Sequence, residues 1–395
     1  MAFPLTRWWA KARRAPPSRA PLALLTGWAG ASLPRGHDTL ARETYVRNAI
    51  AQRAVKLVAE GAASARWLAG GTDRVGVVDT GGHPLLALLA RPNPRQSGPD
   101  LVEALASHLL LAGNAYVEVV TDDDDRPVEL HLLRPERVSI VAGATGWPAE
   151  YRYQAGGQVA RYPVDPVSGR AELLHLRAFH PLDDHYGLSP LEAVAAAVET
   201  HNAAARWNKA LLDNAARPSG ALVFDPGEAG AALSADQFER LKREMEEGFA
   251  GAVNAGRPML LEGGLKWQPL SLSPADMDFV AARDAAAREI ALAFGVPPML
   301  LGLPGDNTYA NYQEANRALW RLTILPLLAK LTAGVAAHFS AWWPDLTLDI
   351  DRDAVPALSA DRERLWAQVS AADFLTAVDK RRLLGLEVSE NVTEQ

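Results

Sequence analysis

The sequence predicts an α+β fold, and three observations carry that reading. Short runs in the first half alternate apolar and polar residues between turn signals, the second half holds three helix starts marked by capping residues, and no segment repeats. At 395 residues with 48% hydrophobic content, the chain can bury roughly three quarters of the surface its unfolded form exposes, enough for two or three structural units.

Residues 1–37 stand apart. Met1 to Gly36 holds Arg7, Lys11, Arg13, Arg14, Arg19 and Arg35 with no acid, beside Trp8, Trp9 and five prolines. Leu22 to Ala31 is apolar and ends in small residues, as a secretory signal would. Thr26 and Gly27 interrupt it, however, and the basic, proline-rich lead is too long. The segment is predicted to be a flexible basic arm that orders on a partner.

From Asp38 to Gly70 the spacing of Tyr45, Ile50, Val55 and Val58 predicts helix. Strands then take over. Leu109 to Val120 ends in the alternation Ala115 to Val120, and Asp122 to Asp125 make the turn before a return strand at Leu130 to Leu133, an antiparallel hairpin. Further strands are expected at Val138 to Val141, Tyr151 to Gln154, Val159 to Tyr162 and Leu173 to Phe179.

Ser189-Pro190-Leu191-Glu192 opens a helix expected to reach about Ala216: serine caps, proline fits the first turn and glutamate completes a capping box. Ser234 with Gln237 repeats the box, and Phe238, Leu241, Met245 and Phe249 mark one apolar face, with Gly248 and Gly251 near its end. Ser273, Pro274 and Asp276 open a third helix, whose small residues Ala281, Ala282, Ala285, Ala286 and Ala287 permit close helix packing before Gly295 stops it. Strands at Ala221 to Phe224, Met259 to Leu261 and Trp267 to Leu272 flank the Ser234 helix. The result is an α/β insert carried on a helical hairpin. A Pro/Gly/Asn loop, Val296 to Thr308, leads into a long helix from Ala310 to Ser340 that Pro326 should kink. A strand at Leu346 to Ile350 and helices from Ala360 to Leu384 complete the chain.

Composition excludes several functions. With no cysteine there are no disulfides, thiolate metal sites or cysteine nucleophiles. No apolar run reaches the roughly 18 residues of a bilayer span, so no membrane partner is predicted. Forty basic against 47 acidic residues give a net charge of -7, which disfavours tight binding of phosphate. Gly263-Gly264-Leu265-Lys266 lacks the second glycine spacing and the Ser/Thr of a phosphate loop and reads as a hairpin turn. His180, Asp183, Asp184 and His185 lie close enough in sequence to converge on a divalent ion, but one loop alone reads as solvated. Asp122 to Asp125 lack the spaced ligands and distal glutamate of a calcium loop. His108 and His175 sit in apolar runs and read as structural, while His201 and His338 are expected at interfaces or in solvent. No catalytic residue, metal site or cofactor is predicted.

Eight short segments then fall in a telling order. They are Arg91-Pro92-Asn93-Pro94, Leu110-Leu111-Ala112-Gly113-Asn114-Ala115-Tyr116, Leu133-Arg134-Pro135-Glu136-Arg137-Val138, Tyr186-Gly187-Leu188-Ser189-Pro190-Leu191-Glu192, Asn214-Ala215-Ala216-Arg217-Pro218-Ser219-Gly220, Leu261-Glu262-Gly263-Gly264, Ile290-Ala291-Leu292-Ala293-Phe294-Gly295-Val296-Pro297-Pro298 and Asn307-Thr308-Tyr309-Ala310-Asn311. Over about residues 40 to 385 the chain resembles the portal proteins of long-tailed bacteriophages and gene transfer agents. The resemblance implies a wing at 38–187, stem helices at 188–216 and 274–295 starting at Ser189, Pro190 and Glu192, and a clip at 217–273. It further implies a tunnel loop at 296–309, a long kinked helix at 310–341, and a C-terminal strand and short helical crown at 342–395.

The resemblance also implies a homo-oligomeric ring, usually of twelve subunits, at one capsid vertex, through which a terminase drives double-stranded DNA. Asn307, Thr308, Tyr309 and Asn311 would touch DNA in passing. The clip surface around Arg240, Arg243 and Glu246 would dock terminase and later a head-to-tail adaptor, with major capsid protein around the ring. On this reading the acidic balance suits sliding, because dense Lys/Arg would grip phosphate. Compactness and an Ala/Arg/Pro-rich composition fit a gene transfer agent, with a phage source left open. Two other readings stay open at this point: another head-tail connector or capsid-associated protein, and a metal-dependent hydrolase using His180 and His185.

Overall fold

The computed structural model describes residues 41–72, 77–79, 82–213, 220–224, 234–249, 265–269, 279–305 and 308–384. A π turn, Arg42–Val46, leads into helix α1, Ala49–Ala63, which Asn48 caps by accepting the Ala51 N–H at 3.0 Å. The helical expectation for Asp38 to Gly70 overruns here: Trp67–Thr72 is strand β1. It pairs antiparallel with β2, Val77–Asp79, on one side and on the other with β11, Thr347–Ile350, from the far end of the chain. That partner decides the conformation of β1, and nothing local announces it.

A second difference follows. Helices α2, Pro84–Ala90, and α3, Gly98–Ala112, occupy the stretch just before the hairpin, so Leu109 to Ala112 are the last turn of a helix and not the start of a strand. Ser97 and Asp100 form a reciprocal capping box at the start of α3, and Gly113, at φ 67°, closes it in the left-handed conformation. Strand β3, Asn114–Thr121, then pairs with β4, Pro127–Leu133, and with β8, Leu173–Arg177. A separate meander joins β5, Val138–Ala142, β6, Pro148–Ala155, and β7, Gln158–Pro163.

The β4–β3–β8 sheet divides two cores because successive side chains leave a strand on opposite faces. Ala115, Val117 and Val119 enter the larger core with Leu174 and Leu176, while Tyr116 and Leu173 enter a smaller, tyrosine-rich one with Val138, Ile140, Tyr151, Tyr162 and Tyr186. In the smaller core the Tyr186 hydroxyl accepts the Ile140 N–H at 3.0 Å, and the His175 ring stacks on Tyr116 at 4.3 Å. Burial pushes the Tyr116 phenol well above its usual range.

Helix α4, Pro190–Asp213, and helix α6, Phe279–Ala293, pack along one another. Of the five alanines expected to permit close packing, Ala286 and Ala287 are buried, together with Ile290, Ala291 and Phe294, whereas Ala281, Ala282 and Ala285 are exposed. Between them the chain forms β9, Gly220–Phe224, helix α5, Ala235–Phe249, and β10, Leu265–Pro269, with β9 and β10 antiparallel. The expected strand at Trp267 to Leu272 thus starts two residues earlier. Ser234 and Gln237 make the predicted box, with the Ser234 N–H on Gln237 Oε1 at 2.9 Å and the Gln237 N–H on Ser234 Oγ at 3.3 Å. The strand expected at Met259 to Leu261, the helix start at Ser273 to Asp276, the arm at 1–37 and the final residues 385–395 lie outside the described residues.

The long helix is one helical run in three parts: α7, Tyr309–Leu319, a π turn, Trp320–Ile324, and α8, Leu325–Phe339. The irregularity falls just before Pro326, where the missing N–H cannot bond the preceding turn and the Leu325 N–H instead reaches back to Trp320 O. At 31 residues this run is long and apolar enough for a bilayer span, contrary to the expectation from the sequence. It is a core element nonetheless: Leu319, Trp320, Ile324, Leu328, Leu331, Val335 and Phe339 all lie in the larger core. Helices α9, Ser359–Ala371, and α10, Ala377–Leu383, follow β11.

Candidate nucleic-acid interface and its supports

The predicted contact residues sit where the chain passes from α6 to the long helix. Pro298–Leu301 form a short 3-10 turn that ends on Gly302 at φ 72°. Thr308 caps α7 by accepting the Asn311 N–H at 3.2 Å. Tyr309, placed in the tunnel loop by the resemblance, therefore starts the helix, Asn311 lies in its first turn, and Asn307 lies outside the described residues. Tyr309 is 78% exposed and Tyr312, which the sequence reading passed over, is 53% exposed. With Met299 and Thr308 they line a cavity of about 280 Å³. Gln313 Nε2 donates to the Tyr309 hydroxyl at 3.1 Å, so the two turns present a continuous polar and aromatic face. The first charges on α7 are Glu314 and Arg317, which neutralise each other at 2.8 Å.

Two contacts tie this stretch to α6 and to the glycine that follows it. The Arg288 guanidinium donates to Pro304 O at 2.6 Å, and the Thr323 hydroxyl, in the π turn, donates to Gly295 O at 2.7 Å. Gly295 must be glycine here. It holds φ 64°, and a Cβ would lie 2.5 Å from Thr323 Oγ1.

At the start of α4 a denser knot forms. Ser189 Oγ accepts the Leu191 N–H at 3.0 Å, capping α4, and donates to the last carbonyls of α3, Leu110 O at 3.0 Å and Leu111 O at 2.9 Å. Pro190 starts the helix and Glu192 is exposed in its first turn. Asn114 Oδ1 accepts the Gly187 N–H at 2.8 Å, Asn114 Nδ2 donates to Gly187 O at 3.3 Å, and the Ala178 N–H donates to Gly113 O at 2.7 Å. Gly113 and Gly187 approach so closely that a Cβ on Gly113 would stand 2.3 Å from Gly187 O. The chain therefore enters α4 through a joint with no room for adjustment. The sequence reading quoted both glycines without this reason for them.

Of the two histidines expected at interfaces or in solvent, His201 is buried and His338 is half-buried. His201 accepts from Asn48 Nδ2 at 3.1 Å through Nδ1, and Asn48 also donates to Asn202 Oδ1 at 3.0 Å, a polar lock between α1 and α4. Burial and Arg283 lower the His201 pKa, while burial and Arg170 hold His338 at about 4. His108 and His175 are structural, as read, held by burial at about 4 and about 3 respectively.

The loop from His180 to His185 is closed by its own hydrogen bonds. His180 Nδ1 accepts the Leu182 N–H at 3.0 Å, and Asp183 Oδ1 accepts from His185 N at 2.7 Å and Tyr186 N at 2.9 Å, so the loop satisfies itself. Among the described residues no group of three or more His, Asp or Glu side chains is gathered for a metal. Asp122 Oδ1 accepts from Asp124 N and Arg126 N, making the hairpin turn. On α5, Arg240 and Arg243 are exposed, and the Glu246 side chain is outside the described residues.

A family model described as phage portal protein matches residues 49–385. The chain belongs to the phage portal protein family. Its likeness to a protein of Rickettsia bellii, named only as uncharacterized, is 44% identity over 345 residues, covering 87% of this chain and 88% of the relative. The portal protein of Enterobacteria phage HK97 is 25% identical over 251 residues, 63% of this chain and 56% of that one. Among solved structures, the neck of an empty gene transfer agent particle computed with C6 symmetry matches at 48% identity and TM-score 0.73, over 92% of this chain and 98% of that one. The neck of a native gene transfer agent particle computed with C12 symmetry matches at 47% identity and TM-score 0.70, over 91% and 96%. The portal chain thus has the mixed helix and sheet fold of its family, which is a structural family.

Proposed function

We propose that twelve copies of this portal chain form a ring at one vertex of a phage or gene transfer agent particle, and that double-stranded DNA passes through its centre during packaging and ejection. The observation that carries this reading is the likeness along nine tenths of the chain to the neck of a particle with C12 symmetry. A ring of this kind uses heterologous contacts, in which two different faces of one subunit meet and the rotation closes. Terminase, major capsid protein and a head-to-tail adaptor are the partners such a ring needs. The exposed α5 surface around Arg240 and Arg243 is our candidate for docking terminase and adaptor. The units follow the resemblance: wing to residue 187, stem in α4 and α6, clip between them, tunnel loop before α7, and crown in α9 and α10.

The face made by Thr308, Tyr309, Asn311 and Tyr312 is our candidate for contact with DNA. It offers hydroxyl and amide donors to phosphate without permanent positive charge, so each contact is made and broken without the counterion release that would make it a brake. Deleting Pro304 to Ala310 tests this. Rings should still assemble, and particles should fail to fill with DNA; particles that fill normally would show that the loop and first turn of α7 do not act on DNA.

A further inference from the structure

One groove has no part in the stem, the clip or the face assigned to DNA. It is a cavity of about 400 Å³ on the outer side of α3, lined by Tyr45, Asp100, Glu103, Ser107, His108 and Leu111 among others. Its polar lining is acidic: Asp100 and Glu103 supply negative charge, and no lysine or arginine is among the lining residues. Asp100 spends Oδ2 on the capping box with Ser97, whereas Glu103 has no hydrogen-bond or ion-pair partner among the described residues. His108 Nδ1 is buried with no partner. An acidic groove with an unpaired carboxylate and an unsatisfied buried nitrogen suits a cationic segment that brings its own donors.

Such a segment lies next to it in the chain. Met1 to Gly36 holds six basic residues and no acidic one. The described chain begins at residue 41, four residues before Tyr45 in the groove wall. Arg35 is separated from Ala41 by few enough residues that an extended connection reaches roughly 20 Å. Reach and charge both single out this occupant.

We propose that the groove formed by Tyr45, Asp100, Glu103 and Ser107 docks the chain's own basic N-terminal segment, with Arg35 pairing to Glu103. The portal subunit thereby carries its arm against α3.

Trypsin digestion of the full-length protein at low ionic strength tests the proposal, with cleavage after Arg35 followed by mass spectrometry. Cleavage should be several-fold faster in Glu103→Lys than in the wild type, and Glu103→Asp should restore protection. Near-ultraviolet circular dichroism on both variants verifies the fold, and Glu103→Gln serves in place of Glu103→Lys if the charge reversal disturbs it. Equal cleavage rates in all proteins would overturn the proposal. Carbodiimide cross-linking of a full-length Arg35→Lys variant, in assemblies mixed from isotopically heavy and light chains, identifies the chain that supplies the arm. Heavy–heavy and light–light cross-links to Glu103 alone support docking within one chain. Mixed cross-links would assign the arm to a neighbouring copy and overturn the proposal as stated.

Discussion

Gly113→Ala is the sharpest perturbation of the joint between the end of α3 and the start of α4. The residue holds φ 67°, and an added Cβ would lie 2.3 Å from Gly187 O and 2.6 Å from Leu188 C, both backbone atoms that no rotamer change can move aside. The left-handed conformation costs alanine about 1 kcal/mol. Relieving the contact separates Gly113 from Gly187, which breaks the Ala178 N–H to Gly113 O bond and both Asn114 bonds to Gly187. At about 1 kcal/mol each, three lost bonds bring the total to roughly 4 kcal/mol. Gly156→Ala is the control, since Gly156 holds φ 56° with open space around its Cβ position and should cost only the conformational part. Urea unfolding followed by near-ultraviolet circular dichroism compares the two. A gap of about 3 kcal/mol is expected; equal losses in the two variants would refute the claim that the close approach, and not backbone conformation, makes Gly113 necessary.

Three further outcomes follow from the same structure. Stability should fall on acidification, because His108, His175 and His338 have native pKa values of about 4, about 3 and about 4, below the value of 6.5 in the unfolded chain. Between those limits the unfolded state binds more protons, so stability is full above pH 6.5 and is lost as pH drops, at about 1.4 kcal/mol per pH unit for each histidine; His175→Gln should flatten the slope by one such share in urea titrations at pH 5 and 7. Ser189→Ala should lower stability by about 1–2 kcal/mol, because the hydroxyl caps α4 and bonds the end of α3 at once; a neutral result in the same assay would contradict that double role. Phe294→Ala, at a residue 2% exposed in the larger core, should cost about 3–5 kcal/mol of unfolding free energy, and a loss below about 1 kcal/mol would mean that the seam between α6 and the core collapses to fill the space.

Where local chemistry determined the outcome, the sequence was legible. The helix starts at Ser189 and Ser234, the Asp122 to Asp125 turn, the meander strands and the break at Pro326 all rest on contacts a few residues apart. Distant partners hid the rest. Trp67 to Thr72 continued a helical pattern in sequence, yet β11, some 280 residues later, draws it into a sheet. Helix α3 was missed because Leu101 to Ala112 is apolar on most sides and merges into the alternation of β3. A readable signal was present in Ser97 with Asp100, Pro99 and Gly113, the full set of start and stop marks. At the candidate site, the resemblance ends the loop at residue 309; Thr308 in fact caps the helix, so Tyr309 is its first residue. Tyr312 follows from that cap, since it lies one turn after Thr308. The burial of His201 could not be read, because its partner Asn48 is 153 residues away.

The ring itself is the central claim, and imaging the purified full-length protein by electron microscopy, alongside its native mass, tests it most directly. Closed rings with an axial hole wide enough for duplex DNA, and a mass of twelve chains, are the predicted result. A protein that stays monomeric under all solution conditions, or that assembles only into open filaments, would contradict it.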